Sequence, residues 1–361
     1  MDRVAQYRGR GALSNPTGRF EAQQVEAYDD AWTREEDLPG RPRTRVRPDP
    51  TKAIISRNDS PDIPFRQSIN PYKGCEHGCV YCFARPYHAY WGLSPGLDFE
   101  TQLFAKADAP KLLRAAFARP SYRPEPIALG TATDPYQPIE RQHRITRALL
   151  EVLLEHRHPV GIVTKGALVL RDLDLLAALA RYRLVHVYLS VTTLDAELAA
   201  AMEPRATTPA RRLQALARLS AAGVPTGVLF SPVIPGLNDH ELERVFAAAA
   251  DAGAKGAGAL LLRLPHELKD LFNAWLSAHY PLRRQRVLER LRDCHGGELY
   301  RARFGERMRG TGPYADMLQH RYRQALRRFG LSERRYDFDT SAFVPPPRGG
   351  RPGQLPLFVG S

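Results

Sequence analysis

Short apolar runs that alternate with amphipathic segments constrain the fold of this chain more than any other feature of its sequence. Between residues 126 and 265 five such runs follow one another: "PIALGTA", "VGIVTKG", "LVHVYLSV", "PTGVLFSPV" and "GALLLRLP". Segments with helical periodicity lie between them, for example "RITRALLEVLLEHR" and "DLDLLAALARY". Strands that alternate with helices predict βαβ units and a parallel sheet. With "SINPYKG" counted as the first strand, the sequence predicts six strands.

These units predict an α/β protein built on a partial barrel. A closed barrel of eight units typically needs about 250 residues, whereas the predicted units occupy only residues 66–265 of the 361-residue chain. We therefore predict a partial (β/α)6 barrel of the TIM type. The other predicted parts are an extended N-terminal arm with little regular structure (1–65), a helical, Arg-rich extension (266–330) and a flexible Pro- and Gly-rich tail (331–361).

The composition is that of a globular protein with a sizeable core. Hydrophobic residues make up 43% of the chain, and the sequence contains no run of eighteen apolar residues. The N-terminal sequence lacks the apolar region of a signal peptide. We expect a soluble, cytoplasmic protein with no membrane partner.

Three of the four cysteines, Cys75, Cys79 and Cys82, lie within eight residues in a CxxxCxxC pattern. Such a cluster does not form a disulfide framework, and in a reducing compartment it indicates metal or redox chemistry. Three thiolates at this spacing suit three irons of a [4Fe-4S] cluster whose fourth iron stays open to a small chelating ligand. The pattern therefore indicates an active site.

Two other kinds of metal site are alternatives to this interpretation. A structural zinc site takes four ligands, usually from two paired clusters, and His77, His88 or Cys294 are the candidates for the fourth ligand. A ferredoxin supplies four cysteines to its cluster, which this stretch does not contain.

The CxxxCxxC pattern after the first strand, with Tyr81 before the third cysteine, resembles the radical S-adenosylmethionine (SAM) superfamily. The segments "ALGTATDPYQPIE", "TKG", "SVTT", "MEPRATTPARRL" and "SPVIPGLND" resemble the branch that contains spore photoproduct lyase, a DNA repair enzyme. The resemblance covers about residues 66–265. It implies a [4Fe-4S] cluster on the three cysteines, SAM bound to the open iron, and reductive cleavage of SAM to a 5′-deoxyadenosyl radical. It also implies an electron donor such as flavodoxin or ferredoxin.

The same resemblance implies a set of SAM contacts in the loops that follow the strands. They are Tyr81, Gly130, Thr131, Thr133, Lys165, Ser190, Glu203, Arg212 and Ile234, with Gly236 in the turn after Ile234. Lys165 and Arg212 are candidate cations for the SAM carboxylate. Two alternatives stay open: a turn that needs glycine at Gly130, and a helix-capping ion pair between Glu203 and Arg212.

The segment "TDPYQPIE" supplies candidates for contact with a substrate. Tyr136 and Glu140 are the predicted catalytic residues, and Tyr136 is a candidate hydrogen-atom donor. Asp134 and Gln137 lie in the same segment, and the alternative is that these side chains brace the loop through Asx-type hydrogen bonds. Cys294 is interpreted as a small buried hydrophobe, with a radical-relay thiol as the alternative.

The charge favours a nucleic-acid partner. The chain carries 52 Lys plus Arg against 39 Asp plus Glu, a net charge of +13. Residues 281–361 contain seventeen Arg, no Lys and eight acidic residues, a net charge of +9. A phosphate backbone is the partner that such a surface fits. The alternative is a codon bias, because only seven of the 52 basic residues are Lys.

Three functional hypotheses follow. The first is a radical SAM enzyme that acts on DNA, and the second is one that modifies RNA, a peptide or a metabolite. The third is a nucleic-acid-binding protein without catalysis, stabilised by zinc or a cluster.

A possible partner motif lies near the end of the chain. Gln354, Leu355, Leu357 and Phe358, in "QLPLF", resemble the motif that binds the bacterial sliding clamp. Two apolar side chains in a pocket and a glutamine at its rim would anchor such a peptide. The alternative is a hydrophobic tail that docks on its own domain.

Overall fold

The computed structural model of this protein describes residues 9–21, 42–333 and 338–347. The strands within these ranges are β1 (Arg45–Pro48), β2 (Ile55–Arg57), β3 (Gln67–Ile69), β4 (Tyr72–Lys73), β5 (Gln102–Ala105), β6 (Ile127–Leu129), β7 (Val160–Thr164), β8 (Val185–Ser190), β9 (Thr226–Val233), β10 (Gly256–Leu261) and β11 (Ser332–Glu333). The helices are α1 (Asp98–Thr101), α2 (Ala109–Phe117), α3 (Glu140–His143), α4 (Ile145–Glu155), α5 (Leu173–Arg181), α6 (Ala196–Met202), α7 (Pro209–Ala221), α8 (Leu242–Asp251), α9 (Leu268–His279), α10 (Pro281–Cys294) and α11 (Pro313–Arg328).

The central sheet has the strand order β11-β10-β9-β8-β7-β6-β3-β2. The strands from β3 through β6, β7, β8 and β9 to β10 are parallel to their neighbours, and helices connect each to the next. β2 is antiparallel to β3 at one edge, and β11 is parallel to β10 at the other. This sheet of six successive parallel strands confirms the predicted partial (β/α)6 barrel.

The apolar runs form strands because both faces of the sheet are covered. In β7 and β8, Val160, Ile162, Val185, Val187 and Leu189 are fully buried. Continuous Val, Ile and Leu runs are typical of parallel strands that lie beneath helices. The buried faces of α4, α5, α7 and α8 pack against these strands in one large core. The loops at the carboxyl ends of these strands are the part of a barrel that forms the site.

The first predicted strand differs from the structure. "SINPYKG" is not one strand, because β3 ends at Ile69 and the chain re-enters regular structure in β4, which pairs antiparallel with β5 in a separate three-stranded sheet. Pro71 lies at the break, where proline has no N–H for a sheet hydrogen bond. The break turns the chain out of the central sheet just before the cysteines.

The region 42–65 also has more regular structure than the sequence predicted. β1 pairs with β5, and β2 pairs with β3 and forms one edge of the central sheet. The described segment 9–21 is packed as well, because Ala12 and Leu13 are buried. In these segments the apolar residues are isolated among charged ones. The sequence therefore has no periodicity there that would predict the strand pairing or the packing.

Three helices follow β10, in the region predicted as a helical extension. α10 and α11 begin with Pro281 and Pro313. Proline suits the first position of a helix because its fixed φ is helical and because the N–H at that position has no partner within the helix. Trp275 of α9 is fully buried and donates its indole N–H to the carbonyl of Ala201 at 3.0 Å. None of the described helices is long and apolar enough to cross a membrane. The clamp-like residues 354–358 lie outside the described residues.

Candidate functional site

The cysteine loop (residues 74–84) follows β4 and carries Cys75, Cys79 and Cys82, all of which are free thiols. The amide of Cys75 donates to the carbonyl of Phe99 at 2.9 Å, and the amide of Cys82 donates to the carbonyl of Cys79 at 3.2 Å. Burial raises the pKa of the Cys75 thiol most, and the neighbouring Asp134, Cys79 and Cys82 raise it further. The loop therefore brings the three sulfurs within electrostatic range of one another.

The donor set of this loop fits an iron–sulfur cluster. Burial raises the pKa of Cys75 well above its ordinary value, that of Cys79 to about 12, and that of Cys82 less strongly. Without a cation these thiols stay protonated at neutral pH, whereas coordinated iron removes their protons. In the described part of the chain no group of three or more His, Cys, Asp or Glu converges on a single metal ion.

The residues named as a fourth zinc ligand have other environments. His88 places Nε2 at 2.9 Å from the carbonyl oxygen of Gln102. His77 places Nδ1 at 3.2 Å from a carboxylate oxygen of Asp134. Cys294 is fully buried near the end of α10, in the core formed mainly by the sheet and its helices.

Arg85 holds the cysteine loop from within, and sequence reasoning missed it. Its guanidinium is fully buried and donates to the carbonyls of Gly78 (3.1 Å) and Cys79 (2.9 Å), inside the CxxxCxxC pattern. It also donates to the carbonyls of Pro95 (3.1 Å) and Gly96 (2.8 Å). A planar guanidinium with five N–H donors can satisfy several carbonyls at once. An arginine three residues after the third cysteine gives no sequence signal that it is buried.

Glu100 pairs with Arg85 and joins the N-terminal segment to the cysteine loop. Its carboxylate is fully buried and accepts from Arg85 Nη2 at 2.5 Å. It also accepts from the backbone amides of Gly11 (3.1 Å) and Ala12 (2.9 Å). A Cβ at position 11 would lie 1.7 Å from the carbonyl oxygen of Gly78, so only glycine fits this approach. The segment around residue 11 therefore forms a wall of the cysteine loop.

A second buried charge cluster lies beside Cys79. Arg212 and Glu203 form an ion pair, and Tyr81 donates its hydroxyl to the same carboxylate. Thr192 donates to Glu203 at 2.7 Å, and Arg212 donates to the carbonyl of Ser190 at 2.8 Å. One contact network therefore extends from the cysteine loop to β8 and α7. It contains five predicted site residues: Tyr81, Ser190, Glu203, Arg212 and Lys165.

Lys165 extends this cluster from the end of β7. Its ammonium lies 5.6 Å from the centre of the Tyr81 ring. Burial lowers the pKa of Lys165, but Cys79 and Glu203 outweigh burial and raise it. Burial likewise opposes ionisation of Glu203, yet Arg212 and Lys165 lower the pKa of that carboxyl to about 2. Burial raises the pKa of the Cys79 thiol, and Lys165 and Arg212 act against it, so these two cations favour an anionic group beside this cysteine.

The loop after β6 contains the predicted glycine and threonines. At Gly130 φ is +90°, and a Cβ there would lie 2.2 Å from the carbonyl oxygen of Val163, so the turn itself requires glycine. The side chain of Asn70 donates to the Thr131 hydroxyl at 3.0 Å, and its amide oxygen accepts from the amide of Ala132 at 2.9 Å. This loop is therefore fixed to the end of β3.

Thr133 and Gln137 tie the same loop to the cysteine loop. Thr133 donates its hydroxyl to the carbonyl of Gly74 at 2.6 Å. The Gln137 side chain donates to the Thr133 hydroxyl at 3.0 Å and accepts from the amide of Glu76 at 2.8 Å. These side chains hold the cysteine loop, and their contact with SAM stays a prediction.

Asp134 braces the loops around the cysteines. Its carboxylate accepts from the Tyr136 amide at 2.8 Å, which is an Asx turn, and from the Thr164 hydroxyl (2.6 Å) and the Lys165 amide (2.8 Å). Burial raises the pKa of Asp134, but the neighbouring His77 and the hydrogen bonds lower it to about 2. The carboxylate therefore stays charged, and it joins the loops after β6 and β7 to His77 of the cysteine loop.

Glu140, a predicted catalytic residue, has a full set of hydrogen-bond partners. The carboxylate is fully buried and accepts from the Tyr72 hydroxyl, from the Thr146 amide at 3.1 Å and from Arg171 Nη2 at 2.7 Å. In this structure it holds α3 and α4 to β4, and its catalytic role stays a prediction.

Tyr136, the other predicted catalytic residue, is almost fully buried. Burial raises its pKa well above the ordinary value, and the nearby carboxylates of Asp172 and Glu140 raise it further. The Arg171 guanidinium lies 6.0 Å from the ring centre. The phenol therefore stays protonated at neutral pH, and hydrogen-atom donation by this residue stays a prediction.

Ser190 and Ile234 lie at the carboxyl ends of β8 and β9. The Ser190 hydroxyl donates to the carbonyl of Ser231 at 3.2 Å. Ile234 is fully buried, and its amide donates to the side chain of Asn238 at 2.6 Å, within the turn that contains Gly236. This turn faces α9 and α10 in a second apolar cluster that also contains Cys79 and Tyr81.

The fold and this site define a protein of the radical SAM superfamily. The sequence profile of that superfamily matches residues 69–249, and the chain belongs to it. Members bind a [4Fe-4S] cluster and SAM, and the donor set described above fits that pair of cofactors.

The chain is also similar to curated relatives and to solved structures. An uncharacterized protein of Mycobacterium tuberculosis is 38% identical over 267 residues, which are 73% of this chain and 72% of the relative. An uncharacterized protein of Methanocaldococcus jannaschii is 30% identical over 48% of this chain and 62% of its own length. A spore photoproduct lyase mutant with bound SAM and a dinucleoside spore photoproduct has the same fold, with a TM-score of 0.56 over 81% of both chains and 15% identity.

Proposed function

We propose that this radical SAM protein acts on a nucleic acid, with a DNA repair reaction of the lyase type as the leading candidate. The observation that carries the radical SAM part of this proposal is the charge arrangement at the cysteine loop. Three free thiols lie beside two cations, Lys165 and Arg212, which act against the rise in the pKa of the Cys79 thiol that burial causes. Iron thiolates and the carboxylate of SAM are anionic, so they suit this environment.

In this proposal each residue has a defined task. Cys75, Cys79 and Cys82 hold the cluster. Lys165 and Arg212 orient the SAM carboxylate, and Tyr81 of the cysteine loop binds Glu203 through its hydroxyl and lies beside the Lys165 ammonium. When bound, the two cofactors supply one-electron cleavage of SAM and a radical able to abstract hydrogen from a substrate. An electron donor such as flavodoxin or ferredoxin provides the electron.

The nucleic-acid part rests on charge and on the neighbouring structures. The chain carries +13, and spore photoproduct lyase, whose fold it shares, has been solved with a dinucleoside photoproduct. In the C-terminal region some of the charge is neutralised locally, since Arg307 pairs with Asp62 and Arg321 with Glu243. Other arginines of that region lie on the surface of α10, namely Arg283, Arg286 and Arg292. These exposed charges suit a phosphate backbone.

Anaerobic reconstitution tests the enzymatic part. We expect about four irons per chain and formation of 5′-deoxyadenosine after reduction with SAM. Alanine at Cys75, Cys79 or Cys82 should abolish both, because each change removes a thiolate ligand. Cys294→Ala is the control and should keep both, because that thiol lies in the hydrophobic core. Stoichiometric zinc without iron in the anaerobic protein would contradict this part.

Binding measurements test the nucleic-acid part. We expect the reconstituted protein to bind single-stranded or duplex DNA with an affinity that falls steeply with salt, in proportion to the number of phosphate contacts. RNA of the same sequence is the second arm of the experiment. Absence of binding to either at low salt would leave the radical SAM chemistry standing and would remove the nucleic-acid substrate.

A further inference from the structure

A cavity of about 300 Å³ opens directly beside the cysteine loop. Its walls come from the loop after β6, the loop after β7, the start of α7 and His77 of the cysteine loop. The lining residues are His77, Tyr136, Pro138, Arg141, Gly166, Ala167, Leu168, Arg205, Thr207 and Arg211. The cavity therefore lies where loops at the carboxyl ends of two barrel strands meet, the place at which barrel enzymes bind their substrates.

The lining is strongly cationic. Among the described residues that form it, three are arginines and none is Asp or Glu. Arg205 is partly neutralised, because it pairs with Glu76 at 3.1 Å. Arg141 and Arg211 have no ion-pair partner in the described ranges. Two unpaired guanidinium groups at one concave surface leave a positive potential that an anion neutralises.

The geometry around the cavity is fixed before any ligand binds. Thr207 accepts a hydrogen bond from the amide of Ala167 at 2.9 Å, which joins two of the walls. The carbonyl of His77 accepts from the amide of Arg205 at 3.3 Å, which joins the segment before α7 to the cysteine loop. Arg211 lies in the first turn of α7, a helix of thirteen residues whose N-terminal end adds a further partial positive charge.

The cavity is also coupled to the cofactor residues. His77 lies between Cys75 and Cys79 in the sequence, and Arg212, which follows Arg211, carries the buried ion pair with Glu203. A molecule bound in the cavity is therefore in contact with the loop that holds the cluster and with the helix that we assign to SAM.

From these contacts we propose that the cavity binds a phosphate group of the substrate and holds it next to the reaction centre. Arginine forks match phosphate oxygens in two-point hydrogen bonds, and carboxylates are absent from the described lining. The proposal rests on the proposed function, because it names the chemical group by which that same site recognises a nucleic acid. A phosphodiester of a strand and the phosphate of a free nucleotide share this chemistry.

The test measures binding of a short, fluorescently labelled single-stranded DNA to the reconstituted full-length protein by anisotropy. We expect Arg141→Gln and Arg211→Gln each to weaken binding about tenfold, the loss expected for one charge-assisted hydrogen bond at a partly exposed site. Arg218→Gln is the matched control, because Arg218 is an exposed arginine in the last turn of the same helix. Its affinity should stay within about twofold of the parent.

Competition distinguishes the two sources of phosphate. Displacement by unlabelled oligonucleotide alone supports a strand, and displacement by thymidine monophosphate as well supports a nucleotide; both support a phosphate site. Equal binding by the parent, Arg141→Gln and Arg211→Gln would overturn the proposal, as would a parent protein that binds no phosphate probe. Failure of the parent to bind iron or to form 5′-deoxyadenosine would instead refute the proposed function, and this is measured separately.

Discussion

The buried pair of Arg85 and Glu100 gives the sharpest test of how this chain builds its site. Glu100→Gln keeps the shape of the side chain and removes its charge, so that Arg85 is left as an uncompensated cation in the interior. Loss of one partner from a buried ion pair typically costs 3 to 5 kcal/mol. Because Arg85 keeps its four carbonyl acceptors, we expect a loss of about 3 kcal/mol in the free energy of unfolding.

Urea denaturation followed by circular dichroism measures this loss, and iron content measures its effect on the loop. The matched control is Glu155→Gln, because Glu155 pairs with Arg114 at 2.7 Å with both side chains about half exposed. An exposed pair contributes at most about 1 kcal/mol. Glu100→Gln should also bind less iron, since Arg85 and the amides of residues 11 and 12 lose their common anchor. Equal stability and equal iron content in the two variants would refute the reasoning.

Two further predictions concern SAM and pH. Lys165→Gln should weaken SAM binding by about 1 to 3 kcal/mol, as loss of a charge-assisted hydrogen bond does, while iron content stays unchanged; Arg212→Gln should weaken it as well, with a loss of stability because Glu203 is left buried without its partner. Calorimetric titration with SAM checks both, and an unchanged affinity would remove that residue from the SAM site. Burial lowers the pKa of His158 to about 3, so between that value and the unfolded pKa of about 6.5 the unfolded chain binds more protons and stability falls as the pH falls. From about pH 8 to pH 5.5 the contribution of His158 should fall by about 1.4 kcal/mol, and His158→Gln should lose that part of the pH dependence; identical pH profiles for the two proteins in denaturant unfolding would refute the assignment.

The sequence predicted the fold correctly where buried strands and helices have a recognisable apolar pattern. Continuous apolar runs indicated β6 to β10, because parallel strands beneath helices need apolar side chains on both faces. The split of the first strand at Pro71 was missed, since a short buried run followed by proline also resembles the end of one longer strand. β1 and β2 were missed because their pairing partners lie elsewhere in the chain, and strands of three or four residues carry little periodicity.

For the site, the cysteine spacing predicted the ligands but not what holds them. Glu203 and Arg212 were predicted to contact SAM, with an ion pair as the alternative; they form that pair, and their contact with SAM stays a prediction. Arg85 and Glu100 had no sequence signal, because burial of a charged residue depends on partners that are distant in the chain. Arg141 and Arg211 were hidden for the opposite reason: in a chain with 52 basic residues, a few that meet at one cavity do not differ in sequence from the rest.

The close approach of Gly11 to the cysteine loop has a consequence for how genes of this kind are interpreted. The amide of Gly11 and the carboxylate that it binds are 89 residues apart, and the superfamily profile begins only at residue 69. A reading frame whose start codon is placed downstream of Gly11 therefore keeps the whole CxxxCxxC pattern and the whole profile. It would nevertheless encode a protein that lacks one wall of the cysteine loop, so a recognisable motif does not by itself mean that the encoded site is complete.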